Sequence, residues 1–172
     1  MKKFAILCAT ALSLATPGIA QAATPDGDHT FKGQLEVRKN IPSWTLCDVT
    51  AVVRVTAGVP RLQSVSLTGP APCPGIAFTG LPSAPITVGT PPLVTVPSVG
   101  VSIPPVLIFP ADACLGSLTL SWGGNTATPR SLAFTDGLSN IPDGNPDNFG
   151  ATENACRIRG VLLQTSTPAV SL

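Results

Sequence analysis

FKGQLEVR, residues 31–38, sets Phe31, Gly33, Leu35 and Val37 against Lys32, Gln34, Glu36 and Arg38. A period of two with one apolar and one polar side is the pattern of a strand with one face buried and one in water. The pattern returns at 47–56, where Cys47, Val49, Ala51, Val53 and Val55 alternate with Asp48, Thr50, Val52, Arg54 and Thr56. Gly58-Val59-Pro60 then turns the chain, and RLQSVSLT at 61–68 returns as a partner strand. Cys47 lies on the buried side, and its reflection across that turn falls near residue 70. The spacing therefore favours a Cys47–Cys73 disulfide.

The same alternation continues towards the C-terminus. Ser117 to Trp122 reads as a strand ending at Gly123-Gly124-Asn125, a hairpin turn from which a strand near 130–135 comes back. CRIRGVLLQ closes the series from Cys156, with Cys156, Ile158, Gly160 and Leu162 on one face, and pairing Cys156 with Cys114 anchors it. Four cysteines permit three connectivities, and these two pairs are the favoured one. Nineteen prolines and sixteen glycines argue against long helices. The expected fold is all-β: a single disulfide-stabilised antiparallel β-sandwich or barrel-like domain of about eight or nine short strands.

Boundaries follow from composition. Residues 1–22 place Lys2 and Lys3 before an apolar run from Phe4 to about Ala15, then Pro17-Gly18 and Ala20-Gln21-Ala22. They read as a signal peptide cleaved after Ala22, because the run is too short to cross about 30 Å of hydrocarbon. Cys8 leaves with it. Residues 23–30 are expected to be a flexible N-terminus, 31–165 the β domain and 166–172 a C-terminal tail. Export places the protein outside the cytoplasm, secreted or periplasmic.

From Leu62 to Ala111 there are 50 consecutive residues without Asp, Glu, Lys, Arg or His, and 11 of the 19 prolines fall there. The prolines exclude a transmembrane helix and make 86–88, 93–96 and 99–103 edge strands or extended connections. Two roles compete for this stretch. Its Val, Ile and Leu residues fill the core, or part of it stays exposed as an apolar surface, with Leu93, Val94, Val99, Val101, Val106 and Ile108 as the candidates.

Chemistry is sparse. Ten Lys and Arg against nine Asp and Glu exclude a charge-driven nucleic-acid binder. The sole histidine, His29, lies in the segment behind the cleavage site, and no GxSxG, HExxH or phosphate-binding glycine loop is present. No catalytic residue and no cofactor are expected. No two cysteines have the CxxC spacing of a zinc site. Asp143, Asn145 and Asp147 have the D-x-N-x-D spacing of a calcium loop. The Gly and Glu positions of a full loop hold Asn148 and Asn154, and surface-turn chemistry explains the same letters. Trp44 and Trp122 read as core or strand-end aromatics.

Several ordered pieces carry a family likeness: Trp44-Thr45-Leu46-Cys47, Cys73-Pro74-Gly75-Ile76, Thr79-Gly80-Leu81-Pro82, V-S-I-P at 101–104, Cys114, and Cys156-Arg157-Ile158-Arg159-Gly160-Val161-Leu162. Together with the signal peptide they make the chain resemble the secreted bacterial alkane-oxidation activator proteins of the PraA and PraB type. The resemblance implies an extracellular, non-enzymatic factor that helps cells use long-chain hydrocarbons by emulsifying or wetting the oil. Its partner would be a hydrocarbon or other apolar interface, met through the region from Leu81 to Pro110. About 400 Å² of apolar surface would give roughly 10 kcal/mol of adsorption before entropic costs. The alternative is a structural or adhesive β-sandwich of the cell envelope.

Overall fold

A computed structural model describes residues 22–39, 43–90, 92–105, 110–144 and 155–172. The proposed signal peptide, but for Ala22, and Cys8 with it, lies outside the described residues. Nine strands are found among those described: β1 (Gly27–Arg38), β2 (Thr45–Thr56), β3 (Val59–Thr68), β4 (Ala77–Thr79), β5 (Thr87–Val88), β6 (Leu93–Ile103), β7 (Asp112–Trp122), β8 (Ser131–Phe134) and β9 (Arg157–Gln164). They form one antiparallel sheet in the order β3-β2-β1-β9-β8-β7-β6-β4, with β5 also on β6. The fold is a nearly closed, barrel-like sheet.

Period-two patterning builds it. Phe31 and Leu35 of β1, Val49, Ala51, Val53 and Val55 of β2, and Ile158 and Leu162 of β9 all point inward and are buried. The outward residues pair across strands instead, as Arg54 does with Asp28 and Arg159 with Glu36. The first and last long strands are neighbours, with Leu35 opposite Gly160. Gly160 has φ +134°, and a Cβ there would sit 2.5 Å from the Gln34 carbonyl oxygen. Glycine in the closing strand is thus a condition of β1 and β9 meeting.

The last seam closes without a ladder. Between β4 and β5 the chain runs along the outer edge of β3: the Ser83 amide donates to Leu62 O (2.9 Å), the Leu62 amide to Ser83 Oγ (3.0 Å) and the Ile86 amide to Pro60 O (2.8 Å). Gly80 turns the chain into this segment with φ +74°, and a Cβ there would meet the Ser98 carbonyl oxygen at 2.5 Å. The Cys47–Cys73 disulfide, whose Cα atoms are 5.6 Å apart, holds the turn after β3 to β2. Cys114–Cys156 ties the start of β7 to the start of β9, with Cα atoms 6.1 Å apart. Both pairings are those read from the strand pattern.

Three expectations are corrected. The stretch 93–103 is one strand of 11 residues lying between β7 and the short β4 and β5. A register shift between Val96 and Val99 absorbs Pro97, and Ser98 takes φ +54° there, so the proline costs the sheet little pairing. Residues 27–30 are strand rather than a flexible lead: Asp28 faces Arg54, while His29 turns inward and is buried. Residues 166–172 end in the core, with Val170 and Leu172 buried and Ser171 bridged to Thr24.

Candidate functional site

The uncharged stretch supplies core. Val94, Val99 and Val101, expected as surface candidates, are buried because β6 has the same two-sided alternation as β1, and these side chains face the barrel interior. Leu93 is half-buried at the strand start. Val106 and Ile108 lie outside the described residues. The exposed large apolar side chains, Leu46, Val59, Val88, Leu115, Leu138, Val161 and Leu163, are spread over β2, β3, β5, β7, β9 and the loop after β8, with none on β6.

The two ends of the barrel differ. At one end, tail and strands form a polar plug. Gln164 Nε2 donates to Pro168 O (2.9 Å), and Gln164 Oε1 accepts from the Val170 amide (3.0 Å). Arg130 Nε donates to Val170 O (2.9 Å), and Asn125 holds both the amide and the carbonyl of Leu172. His29 belongs here, its Nε2 at 2.9 Å from Pro25 O. Its polarity is used in sealing the barrel.

The opposite end carries both disulfides and opens as an apolar mouth of about 80 Å³. Ile76 and Phe78 come from the β4 side, Val101, Ile103 and Pro104 from β6 and its exit, Val37 from β1, Leu67 from β3 and Ile158 from β9. A second cavity of about 50 Å³ lies deeper in the barrel, with walls that are wholly apolar. The two share Val37, Leu67, Phe78 and Ile158 as walls.

Charge lines the rim of this mouth. Lys39 is buried, and its Nζ donates to Asp143 Oδ1 (2.8 Å), Ala113 O (2.7 Å) and Asp112 Oδ1 (3.0 Å), clasping the loop after β8 to the start of β7. Arg157 grips both oxygens of Asp136, at 2.8 and 2.5 Å. That hydrogen bond, reinforced by the nearby positive charge, holds the Asp136 carboxyl below the usual aspartate range. Glu36 is lowered in the same way by Arg159. Arg38, Arg157 and Arg159 surround the Trp44 ring, with guanidinium carbons 4.9, 6.0 and 4.3 Å from its centroid. Trp44 is thus a rim residue held by cation–π contacts, while Trp122 is buried edge-on to Phe31.

Of the calcium candidates, Asp143 already accepts from an ammonium group, and Asn145 and Asp147 lie outside the described residues. Among the described residues no group of three His, Cys, Asp or Glu is placed to hold a metal. No helix among them is long and apolar enough to cross a membrane.

The description PraA/PraB-like alkane oxidation protein activator matches the chain over residues 1–172. The chain belongs to that family. No curated protein and no solved structure matches it. Several of the motifs that carry the resemblance in the sequence are fold-makers here: two disulfides, the Gly80 turn beside the β6 irregularity and the Gly160 contact between the first and last long strands. The mouth is assembled from seven strands and their connections; of the surface candidates named from sequence only Val101 lines it, with Ile103, Pro104 and Pro110 of the Leu81–Pro110 region, while its other walls were not read as one surface. Its clearest signal was the clustering of Ile76, Phe78 and Ile103-Pro104 around the cysteines.

Proposed function

We propose that this family member is an exported, non-catalytic accessory factor that promotes alkane utilisation by acting at the hydrocarbon–water interface, emulsifying or wetting the oil. The observation that carries this function is the apolar mouth at the disulfide end. It offers hydrocarbon a contact made of half-buried side chains such as Ile76, Phe78 and Ile103. Two disulfides across that end restrain the sheet where it meets oil, so adsorption need not proceed by unfolding.

The test is the hexadecane–water interfacial tension with purified, oxidised mature protein, compared with Ile76→Lys and Phe78→Lys. The wild type is expected to lower the tension well beyond an ordinary globular protein. Each variant, with its near-ultraviolet circular dichroism intact, is expected to lose most of that drop. Equal activity of wild type and folded variants would remove the mouth from the mechanism. A stable polymer on size-exclusion chromatography that leaves the tension unchanged would replace it with a structural envelope role.

A further inference from the structure

We infer that the disulfide end is a stoichiometric binding site for a medium-chain carboxylate, its alkyl tail in the barrel and its head on Arg38. The class of chain rests on the hydrocarbon function proposed above; the head group rests on the rim.

The outer cavity of about 80 Å³ and the inner one of about 50 Å³ share Val37, Leu67, Phe78 and Ile158 as walls. An apolar cavity of about 150 Å³ stays dry and accepts benzene, so the two together suit a segment of roughly six carbons. A narrow, wholly apolar inner end selects an unbranched tail over a bulky one, and it offers no partner to a polar group.

Among the described residues three cations line the outer cavity: Arg38, Lys39 and Arg157. Lys39 is taken by Asp112 and Asp143, and Arg157 by both oxygens of Asp136. Arg38 lies over Trp44 and, among the described residues, hydrogen-bonds no carboxylate; Asp136 feels its charge while bonding to its neighbour. A neutral alkane makes no use of a guanidinium there. A carboxylate does, through two parallel N–H···O bonds, while Trp44 holds the planar group in place. A carboxylate is also what full oxidation of a terminal alkane carbon leaves.

The experiment is isothermal titration of the oxidised mature protein with octanoate, octanol and octyltrimethylammonium, chosen for solubility and equal chain length. Octanoate is expected to saturate at one equivalent and to bind at least about 10-fold tighter than the other two, as a charge-assisted bond requires. Arg38→Gln is expected to bring the octanoate-to-octanol ratio to about one, with Arg38→Lys between. Ile103→Trp, which fills the outer cavity, is expected to abolish binding of both; Phe78→Trp is the second filling variant should the first fail to fold. Equal affinity for octanoate and octanol, a ratio insensitive to Arg38→Gln, or uptake without saturation would each overturn the assignment. Wild-type interfacial tension on hexadecane is read without octanoate, so loss of this site and loss of the interfacial role are separate results.

Discussion

The two ends of this barrel are built from opposite materials. The end that holds His29 and residues 166–172 is closed by hydrogen bonds: Asn125, Arg130 and Gln164 bind the backbone of a tail whose Val170 and Leu172 drop into the core. The other end is held by covalent and ionic links around its circumference, Cys47–Cys73, Cys114–Cys156 and the Lys39 clasp, and among the described residues its centre is an apolar cavity. A plug built into an end occupies the space a ligand would use. Links placed around a rim keep that space free, which explains why both disulfides lie at the same end.

The contrast predicts a graded set of losses. Removing Cys114–Cys156 as the double Ala variant frees a loop with a sequence separation of 42 and is expected to lower stability by about 4 kcal/mol by denaturant unfolding. If the loss were negligible, the covalent rim would not be what holds the mouth. Lys39→Ala withdraws the ammonium from a buried carboxylate and is expected to cost about 3 kcal/mol, with Lys39→Arg recovering part of it. At the plugged end, Val170→Ala removes a fully buried side chain and is expected to cost about 2 kcal/mol while leaving the interfacial tension at the wild-type value. A large change in tension would mean that the two ends are not independent.

The smallest effect is that of pH. The folded Asp136 carboxyl has a lowered pKa, so its pairing with Arg157 stabilises the fold at pH values above the unfolded aspartate range. That contribution is lost as pH falls through the lowered value. A melting curve that declines below about pH 4, and declines less in Asp136→Asn, is the expected result. The pair is partly exposed, so its worth is under about 1 kcal/mol. A decline of the same size in Asp136→Asn would assign it to other groups.

The sheet was legible in the sequence wherever local chemistry decided the outcome. β1, β2, β3 and β9 show a period of two because one face is buried along their length, and the same parity put Cys47 and Cys156 inside, where partners could be deduced. Legibility failed where distant partners decided. His29 reads as a loop residue until Pro25 and the barrel end are seen to accommodate its ring. Pro97 reads as a strand breaker until the register shift absorbs it. The C-terminal tail carries no periodic signal because its buried position is set by Asn125, Arg130 and Gln164 from elsewhere in the chain. The mouth failed for the same reason: no two consecutive residues reveal a surface drawn from so many segments. The motifs that carry the sequence resemblance are fold-making residues, and these say little about what the fold encloses.

The segment from Ser83 to Ile86 has a consequence for life among many copies of the same chain. By occupying the outer edge of β3 at Pro60 and Leu62 with irregular backbone, it shortens the row of amides on which a neighbour could add a strand. The short β4 and β5 give little more to copy. Under the proposed interfacial role, which would crowd these molecules at an oil droplet, a shortened edge leaves less backbone for cross-β growth, the ordinary hazard of high local concentration.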